Sequence, residues 1–195
     1  DAKGQSKCKN CRTGRFSYLE GQSGCELIAS EWNCAARTNQ GTFTRSNDCT
    51  ITGNKHVQVK NTLEIVGANT DMNNLITITA ARWPCQSAWC PSSKHRHFYL
   101  NNANAKLTLR YLKLVGGNVQ DTYSSGYVYG GSICIYKNGG ELNLYSSIVF
   151  NNKAGYGGGI YAYTDKIAIM KIYNSIIQNN EATAGYGGGI CMFYG

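Results

Sequence analysis

Acid–base chemistry in this chain would have to come from 11 acidic side chains and 3 histidines. Hydrolysis of a glycosidic bond needs two carboxyls facing each other across it, and eliminative cleavage needs acids clustered on calcium with a base beside them. The acids are Asp1, Glu20, Glu26, Glu31, Asp48, Glu64, Asp71, Asp121, Glu141, Asp165 and Glu181, and no two are adjacent or two apart along a strand. His56, His95 and His97 offer a base, but nothing singles out a nucleophile for it to activate. His95 and His97 have the spacing of a His-x-His metal site; set between Lys94 and Arg96, they read as ordinary surface histidines. No catalytic, cofactor-binding or metal-ligating residue is assigned, and the chain reads as a non-enzyme.

The 9 cysteines are the other reactive groups. Cys8, Cys11, Cys25, Cys34 and Cys49 crowd the first quarter, and Cys85 and Cys90 flank a short loop with Trp83, Pro84, Trp89 and Pro91. That density predicts disulfides made in an oxidising compartment, their connectivity left open. Zinc held by Cys8-x-x-Cys11 with Cys25 and Cys34 is the alternative, but the second pair lacks close metal-ligand spacing. Cys134 and Cys191 stand at matching places two repeats apart, about 9.6 Å at the usual strand spacing. A disulfide reaches only about 7 Å between α-carbons, so these two are expected to be unpaired, in the interior of the stack.

The elements that would position such groups are repeats. Leu144 to Asn152 followed by Tyr156-Gly157-Gly158-Gly159-Ile160 returns as Ile172 to Asn180 followed by Tyr186-Gly187-Gly188-Gly189-Ile190. Asn151 and Asn179 are 28 apart, Gly131 and Gly158 27, and Gly158 and Gly188 30. One such unit cannot bury its own apolar face and must stack on a neighbour. Leu142 with Leu144, and Ile167 with Ile169, are spaced by two, which predicts strands with one face inward. Asn151, Asn152, Asn179 and Asn180 are expected at bends, as a ladder of amides bonding layer to layer. Gly131, Gly158 and Gly188 turn a corner where a side chain would collide or φ must be positive. No Lys-Ser/Thr follows, which sets aside a phosphate loop. Tyr129, Tyr156 and Tyr186 align before the glycines and are expected to stack on one another.

Gly130-Gly131-Ser132-Ile133, the two Gly-Gly-Gly-Ile segments, Ile148-x-x-Asn151 and Ile176-x-x-Asn179 carry a resemblance. The chain is similar to right-handed parallel β-helices of the pectate-lyase-like type, in particular surface proteins with polymorphic outer-membrane-protein repeats. Those repeats carry G-G-A-I and F-x-x-N; here isoleucine stands in place of Phe. The run from Arg96-His97-Phe98-Tyr99 through Lys106 to Arg110 also resembles the opening coils of such proteins. The resemblance implies an all-β right-handed solenoid over roughly residues 50 to 195. Many pectate-lyase-like and polygalacturonase helices cleave acidic polysaccharide. Asn69-Thr70-Asp71 echoes one polygalacturonase motif, but the paired aspartates, Gly-His-Gly and Arg-Ile-Lys that accompany it are absent.

One domain is expected, with residues 1–48 as a cysteine-rich cap and 49–195 as coils. Leu27, Ile28, Trp32, Ala35 and Ala36 have the spacing of a short helix lying across the amino-terminal end. Val57-Gln58-Val59 and Leu75 to Thr79 read as strands, and Leu63 to Gly67 as one that returns at Leu112 to Gly116. Residues 80–95 and 118–128 are side loops, the places to look for ligand contacts. Lys3, Lys7, Lys9, Arg12 and Arg15, and Lys94 to His97, are basic runs that read as solvated surface. A formal charge of +8 without a nucleic-acid motif suits an anionic polysaccharide or other glycan better than nucleic acid. No apolar run approaches the roughly 18 residues of a membrane span. Asp1 to Arg15 is not a signal peptide, so an exported protein would be seen here in processed form. Cys191-Met192-Phe193-Tyr194 stops within a unit, an apolar end that invites another chain. The expectation is therefore an extracellular structural subunit joining head to tail. A cell-surface adhesin gripping glycans or proteins through side loops is the alternative, and a polysaccharide lyase or hydrolase comes third.

Overall fold

The structure, a computed structural model, describes residues 15–16, 26–27, 30–34, 39–51, 56–80, 94–119, 128–165 and 168–194. All of its regular elements are strands; Arg15–Phe16 and Glu26–Leu27 form a separate antiparallel pair, and the rest form a β-solenoid. Each complete coil visits four sheets in turn. The first sheet stacks Val57–Val59, Phe98–Leu100, Ile133–Lys137, Ile160–Thr164 and Ile190–Tyr194. The second stacks Ser30–Glu31, Gly41–Arg45, Thr62–Gly67, Lys106–Arg110, Gly140–Tyr145 and Ala168–Tyr173. The third holds Cys49–Ile51, Ile76–Ala80, Leu112–Val115, Ile148–Phe150 and Ile176–Gln178. The fourth holds Lys94–His95, Asn118–Val119, Lys153–Tyr156 and Glu181–Tyr186. Pairing is parallel throughout these four sheets except between Lys94–His95 and Asn118–Val119.

Register places like above like. Leu63, Leu107, Leu142 and Met170 form one inward column, and Ile65, Leu109, Leu144 and Ile172 the next. Ile78, Leu114, Val149 and Ile177 face them from the third sheet. Period-two alternation puts these side chains inside, where burial stabilises by about 1.5–3 kcal/mol for each fully enclosed aliphatic residue. Met170 and Ile172 carry the inward column of the last repeat, while Ile169 points out and is exposed. The spacing-by-two reading of Ile167 and Ile169 therefore chose the wrong parity; Ile167 itself lies outside the described residues. Leu63 to Gly67 and Leu112 to Gly116, read as one element in two copies, belong to different sheets.

Corners repeat as strictly as strands. Tyr111, Ser146 and Asn174 share one corner column, and all have positive φ, at 55°, 44° and 47°. The next corner has Gly116, Asn151 and Asn179 at 81°, 53° and 54°, and the one before the first sheet has Gly130, Gly157 and Gly187 at 63°, 60° and 63°. A left-handed residue is how an L-chain turns a strand abruptly, and Asn and Gly bear it at least cost.

At the amino-terminal end, the expected helix is replaced by strand. Ser30 and Glu31 pair parallel with Phe43 and Thr44, Leu27 lies in the two-residue strand Glu26–Leu27, and Trp32 is fully buried, 6.0 Å from the Phe98 ring. Edge pairing satisfies the backbone of this segment, overriding the helical spacing of its apolar residues. Ile28, Ala35 and Ala36 lie outside the described residues. Stacking is already under way at Gly41–Arg45, whose five residues pair with Leu63 to Gly67. Cys34 and Cys49 form a disulfide across this end.

Candidate functional site

The four sheets converge on the coil that ends at Tyr194, and its upper edge is the candidate site. Down the first sheet, Ile133 and Ile160 are 0% exposed, yet Ile190 in the same column is 37% exposed. In the neighbouring inward column Ile135 and Ala162 are 0% and 2% exposed and Met192 is 43%. Every exposed large hydrophobic among the described residues falls in this last stretch: Ile169, Tyr173, Ile176, Tyr186, Ile190, Met192 and Phe193. Beneath this edge Ile177, Met170 and Ile172 are only half-buried. The backbone of four strands runs along it with no further strand paired there among the described residues. Cys191 is buried beside Tyr161, while Met192 and Phe193 lie open.

Two polar columns flank the third sheet. Asn152 donates from Nδ2 to Asn180 Oδ1 (3.0 Å) and to the carbonyls of Phe150 (3.0 Å) and Leu114 (3.3 Å). Its own Oδ1 accepts from Gly117 N–H at 2.8 Å. Asn151 and Asn179 do a different task, supplying the left-handed turn just before. Ser147 and Ser175 make a parallel column: Leu112 N–H donates to Ser147 Oγ (3.3 Å) and Ser147 N–H to Ser175 Oγ (3.1 Å). This serine column escaped the sequence reading, although the two serines sit at the same offset from the repeated asparagines.

At the glycine corner the positive φ falls on Gly130, Gly157 and Gly187, one residue before Gly131, Gly158 and Gly188. Gly131 and Gly158 are glycine for want of space: a Cβ would lie 2.1 Å from Gly158 O and 2.3 Å from Glu181 O, respectively. At Gly188 the nearest atom would be Asn180 O at 2.8 Å.

Tyr129, Tyr156 and Tyr186 form a column with ring centroids 5.5 and 5.9 Å apart. Tyr129 and Tyr156 join Tyr99, Tyr136, Tyr161, Tyr163, Cys134 and Cys191 in a second cluster, separate from the inward core, while Tyr186 stays exposed. Cys134 and Cys191 are unpaired, but they lie in this cluster on the outer side of the first sheet, not in the stack interior as their spacing suggested. They occupy one column with Tyr161 between them, the opposite parity from Ile133 and Ile135. Burial pushes the Cys134 thiol up to about 11, against the opposing pull of Arg96, and raises Cys191 as well. Both are poor nucleophiles.

Of the basic run Lys94 to His97, the last three residues are not solvated surface. His95, Arg96 and His97 are all buried, and Arg96 lies over the Tyr99 ring at 5.4 Å. His97 Nε2 donates to Ile78 O (3.0 Å), and its Nδ1 is 3.0 Å from Ser132 Oγ, which can donate back. Burial lowers its pKa from 6.5 to about 4, opposed by bonds to the Ile78 and Val115 carbonyls. A neutral ring locked between two coils is a structural crosslink rather than a surface histidine.

Asp71 is tied up by its own turn, accepting from Asn73 N–H (3.0 Å) and Asn74 Nδ2 (2.7 Å), contacts that hold its carboxyl below the usual range. No three His, Cys, Asp or Glu among the described residues lie close enough together to hold a metal ion. Cys8, Cys11, Cys25, Cys85 and Cys90, the basic residues Lys3 to Arg12, and most of both side loops lie outside the described residues.

No family model, curated protein or solved structure matches the chain. The open edge is thus read on its own physics.

Proposed function

We propose that this chain is a non-enzymatic structural protein of the cell surface, a right-handed β-helix of the pectate-lyase-like, polymorphic outer-membrane-protein-repeat kind. It acts as a filament subunit, each copy adding its first coil to the last coil of the copy before. The rise in exposure along the inward columns, to 37% at Ile190 and 43% at Met192, carries this reading. Apolar side chains aligned beneath open strand edges are what another coil needs in order to add itself. A heterologous contact of this type propagates unless it closes into a ring. Nine cysteines, with Cys34 and Cys49 joined, suit an oxidising extracellular setting.

Sedimentation of the full-length polypeptide over a range of concentrations tests this. Association that rises with concentration and is abolished by Met192→Lys, a charge aimed into the next layer, supports assembly. A monomer at all concentrations, or a continuation of the same polypeptide that winds over the edge, overturns it.

One observation favours the adhesin as a second reading. The tyrosine cluster lines the outer side of the first sheet, with the exposed Lys137 Nζ 5.6 Å from the centre of the Tyr136 ring. Aromatic faces beside cations suit the pyranose rings and carboxylates of an anionic glycan. Binding to a glycan array by an unassembled monomer would support that reading over the first.

A further inference from the structure

The outer face of the second sheet carries two tyrosines placed for covalent joining. Tyr145 and Tyr173 are register partners on adjacent parallel strands, 28 residues apart in sequence. Their ring centroids are 5.2 Å apart and their planes 8° from parallel. Arg110, in the coil below, lies over the Tyr145 ring with its guanidinium carbon 4.0 Å from the centre, and its Nε donates to Glu64 Oε1 at 2.9 Å. Tyr145 is thus held from below, and its one aromatic neighbour among the described residues is Tyr173, whose ring is 51% exposed. A coil laid above Tyr173 would cover it as Tyr173 covers Tyr145, and under that cover Tyr145 is still only half-buried. The pair therefore keeps an edge in solvent whether or not the polypeptide winds further.

No other tyrosine pair among the described residues combines these properties. Tyr129 and Tyr161 are closer, 4.3 Å at 10°, but Tyr161 is 3% exposed and burial pushes its phenol pKa up. A phenol gives up its proton when it is oxidised, so that buried site resists the reaction. Tyr129–Tyr136, Tyr136–Tyr163 and Tyr129–Tyr156 are inclined by 22°, 35° and 50°. Tyr156 and Tyr186 lie at 12°, but 5.9 Å apart across an irregular register, and Phe193 packs edge-on against Tyr186.

We propose that Tyr145 and Tyr173 are a modification site, at which a haem peroxidase and hydrogen peroxide join the two rings into a dityrosine that ties one coil to the next. Each phenol gives up one electron and its hydroxyl proton, and the two phenoxyl radicals pair to form a bond from ortho carbon to ortho carbon. The ring hydrogens at the new bond pass to the oxygens, restoring both hydroxyls. Peroxide takes up the two electrons and two protons and leaves as two waters. Stacking supplies the step that is slow in solution: the second radical forms on a ring 5.2 Å from the first, in place of a diffusional encounter. The bond spans a sequence separation of 28 and removes freedom from the unfolded chain, as a disulfide does. It needs no second copy, so it stands apart from the assembly reading.

Dilute full-length wild-type, Tyr145→Phe, Tyr173→Phe and Tyr186→Phe polypeptides are treated with a haem peroxidase and limiting hydrogen peroxide. Dityrosine fluorescence is read, and the digested products are mapped by mass spectrometry. Phe keeps the ring and its packing, so each variant should fold as the wild type does. Wild type should give one dominant linked peptide pair, Tyr145 to Tyr173, two hydrogens lighter than its parts, at a yield per chain that does not depend on protein concentration. Tyr145→Phe and Tyr173→Phe should each lower the fluorescence about tenfold, and Tyr186→Phe should leave it unchanged. Unfolding in urea before oxidation should scatter the links over other tyrosines. Fluorescence undiminished in Tyr145→Phe, a dominant Tyr156–Tyr186 link, a yield that rises with concentration, or the same pair dominating in urea overturns the proposal.

Discussion

Acidification should loosen this solenoid well before its carboxylates titrate, and His97 is the reason. The ring is fully buried between Ile78 and Ser132, with the proton on Nε2 and an acceptor at Nδ1. A second proton would place a cation in the core without water around it, so burial lowers the folded pKa from 6.5 to about 4. Because the folded state resists the proton more than the unfolded chain does, this stability is full above pH 6.5 and drains away as pH falls towards 4. At about 1.36 kcal/mol per pH unit the total loss approaches about 3 kcal/mol, of which about 2 kcal/mol is gone by pH 5. Glu141 is held below its ordinary 4.5 by bonds from Asn143 and Lys171 and by nearby Lys106, so its contribution is lost only at lower pH. Urea unfolding followed by circular dichroism between pH 7.5 and 5 isolates the histidine. Wild type should lose about 2 kcal/mol over that range, while His97→Gln should be less stable at pH 7 but nearly flat. An equal slope in His97→Gln, or a wild-type curve flat down to pH 5, would refute the reasoning.

The other perturbations test the layers individually. Asn152→Leu removes the acceptor for Gly117 N–H and the donors to Leu114, Phe150 and Asn180, and should cost about 3 kcal/mol by urea unfolding. Asn180→Leu, on the half-buried outer layer, should cost about 1 kcal/mol in the same assay. Gly158→Ala places a Cβ 2.3 Å from Glu181 O, against backbone that cannot yield cheaply, and should lower the thermal midpoint by several degrees or prevent folding. Reducing Cys34–Cys49, which closes a 15-residue separation, should cost about 3 kcal/mol, seen as a drop in thermal midpoint on adding reductant.

The solenoid was legible in the chain because its corners demand particular chemistry. Positive φ at Asn151, Asn179, Gly157 and Gly187 selects Asn and Gly, and strict stacking repeats them at the same offset. The corner at Tyr111, Ser146 and Asn174 has the same backbone shape, but three different residue types occupy it and no pattern shows. Gly41–Arg45 was equally opaque: with Phe43 its one large apolar residue, nothing in that strand alternates, and parallel pairing with Thr62–Gly67 alone defines it. The helical spacing read around Trp32 is a pattern that parallel pairing of Ser30 and Glu31 overrode. Lys94 to His97 misled for a related reason: a run of basic residues normally stays in water, but here three of the four sit at the junction of two sheets. Burial there is a property of the stack, invisible in the run itself. The open edge was visible in outline as an apolar ending, whereas the serine column and its direction depend on which amides the corners release.

Cryo-electron microscopy of the assembled full-length polypeptide tests the central claim most directly. The account predicts strands lying across the filament axis, continuing from one subunit into the next at the roughly 4.8 Å spacing of hydrogen-bonded coils. Filaments whose strands run along the axis, or whose subunits meet through the tyrosine-lined side rather than coil on coil, would contradict it.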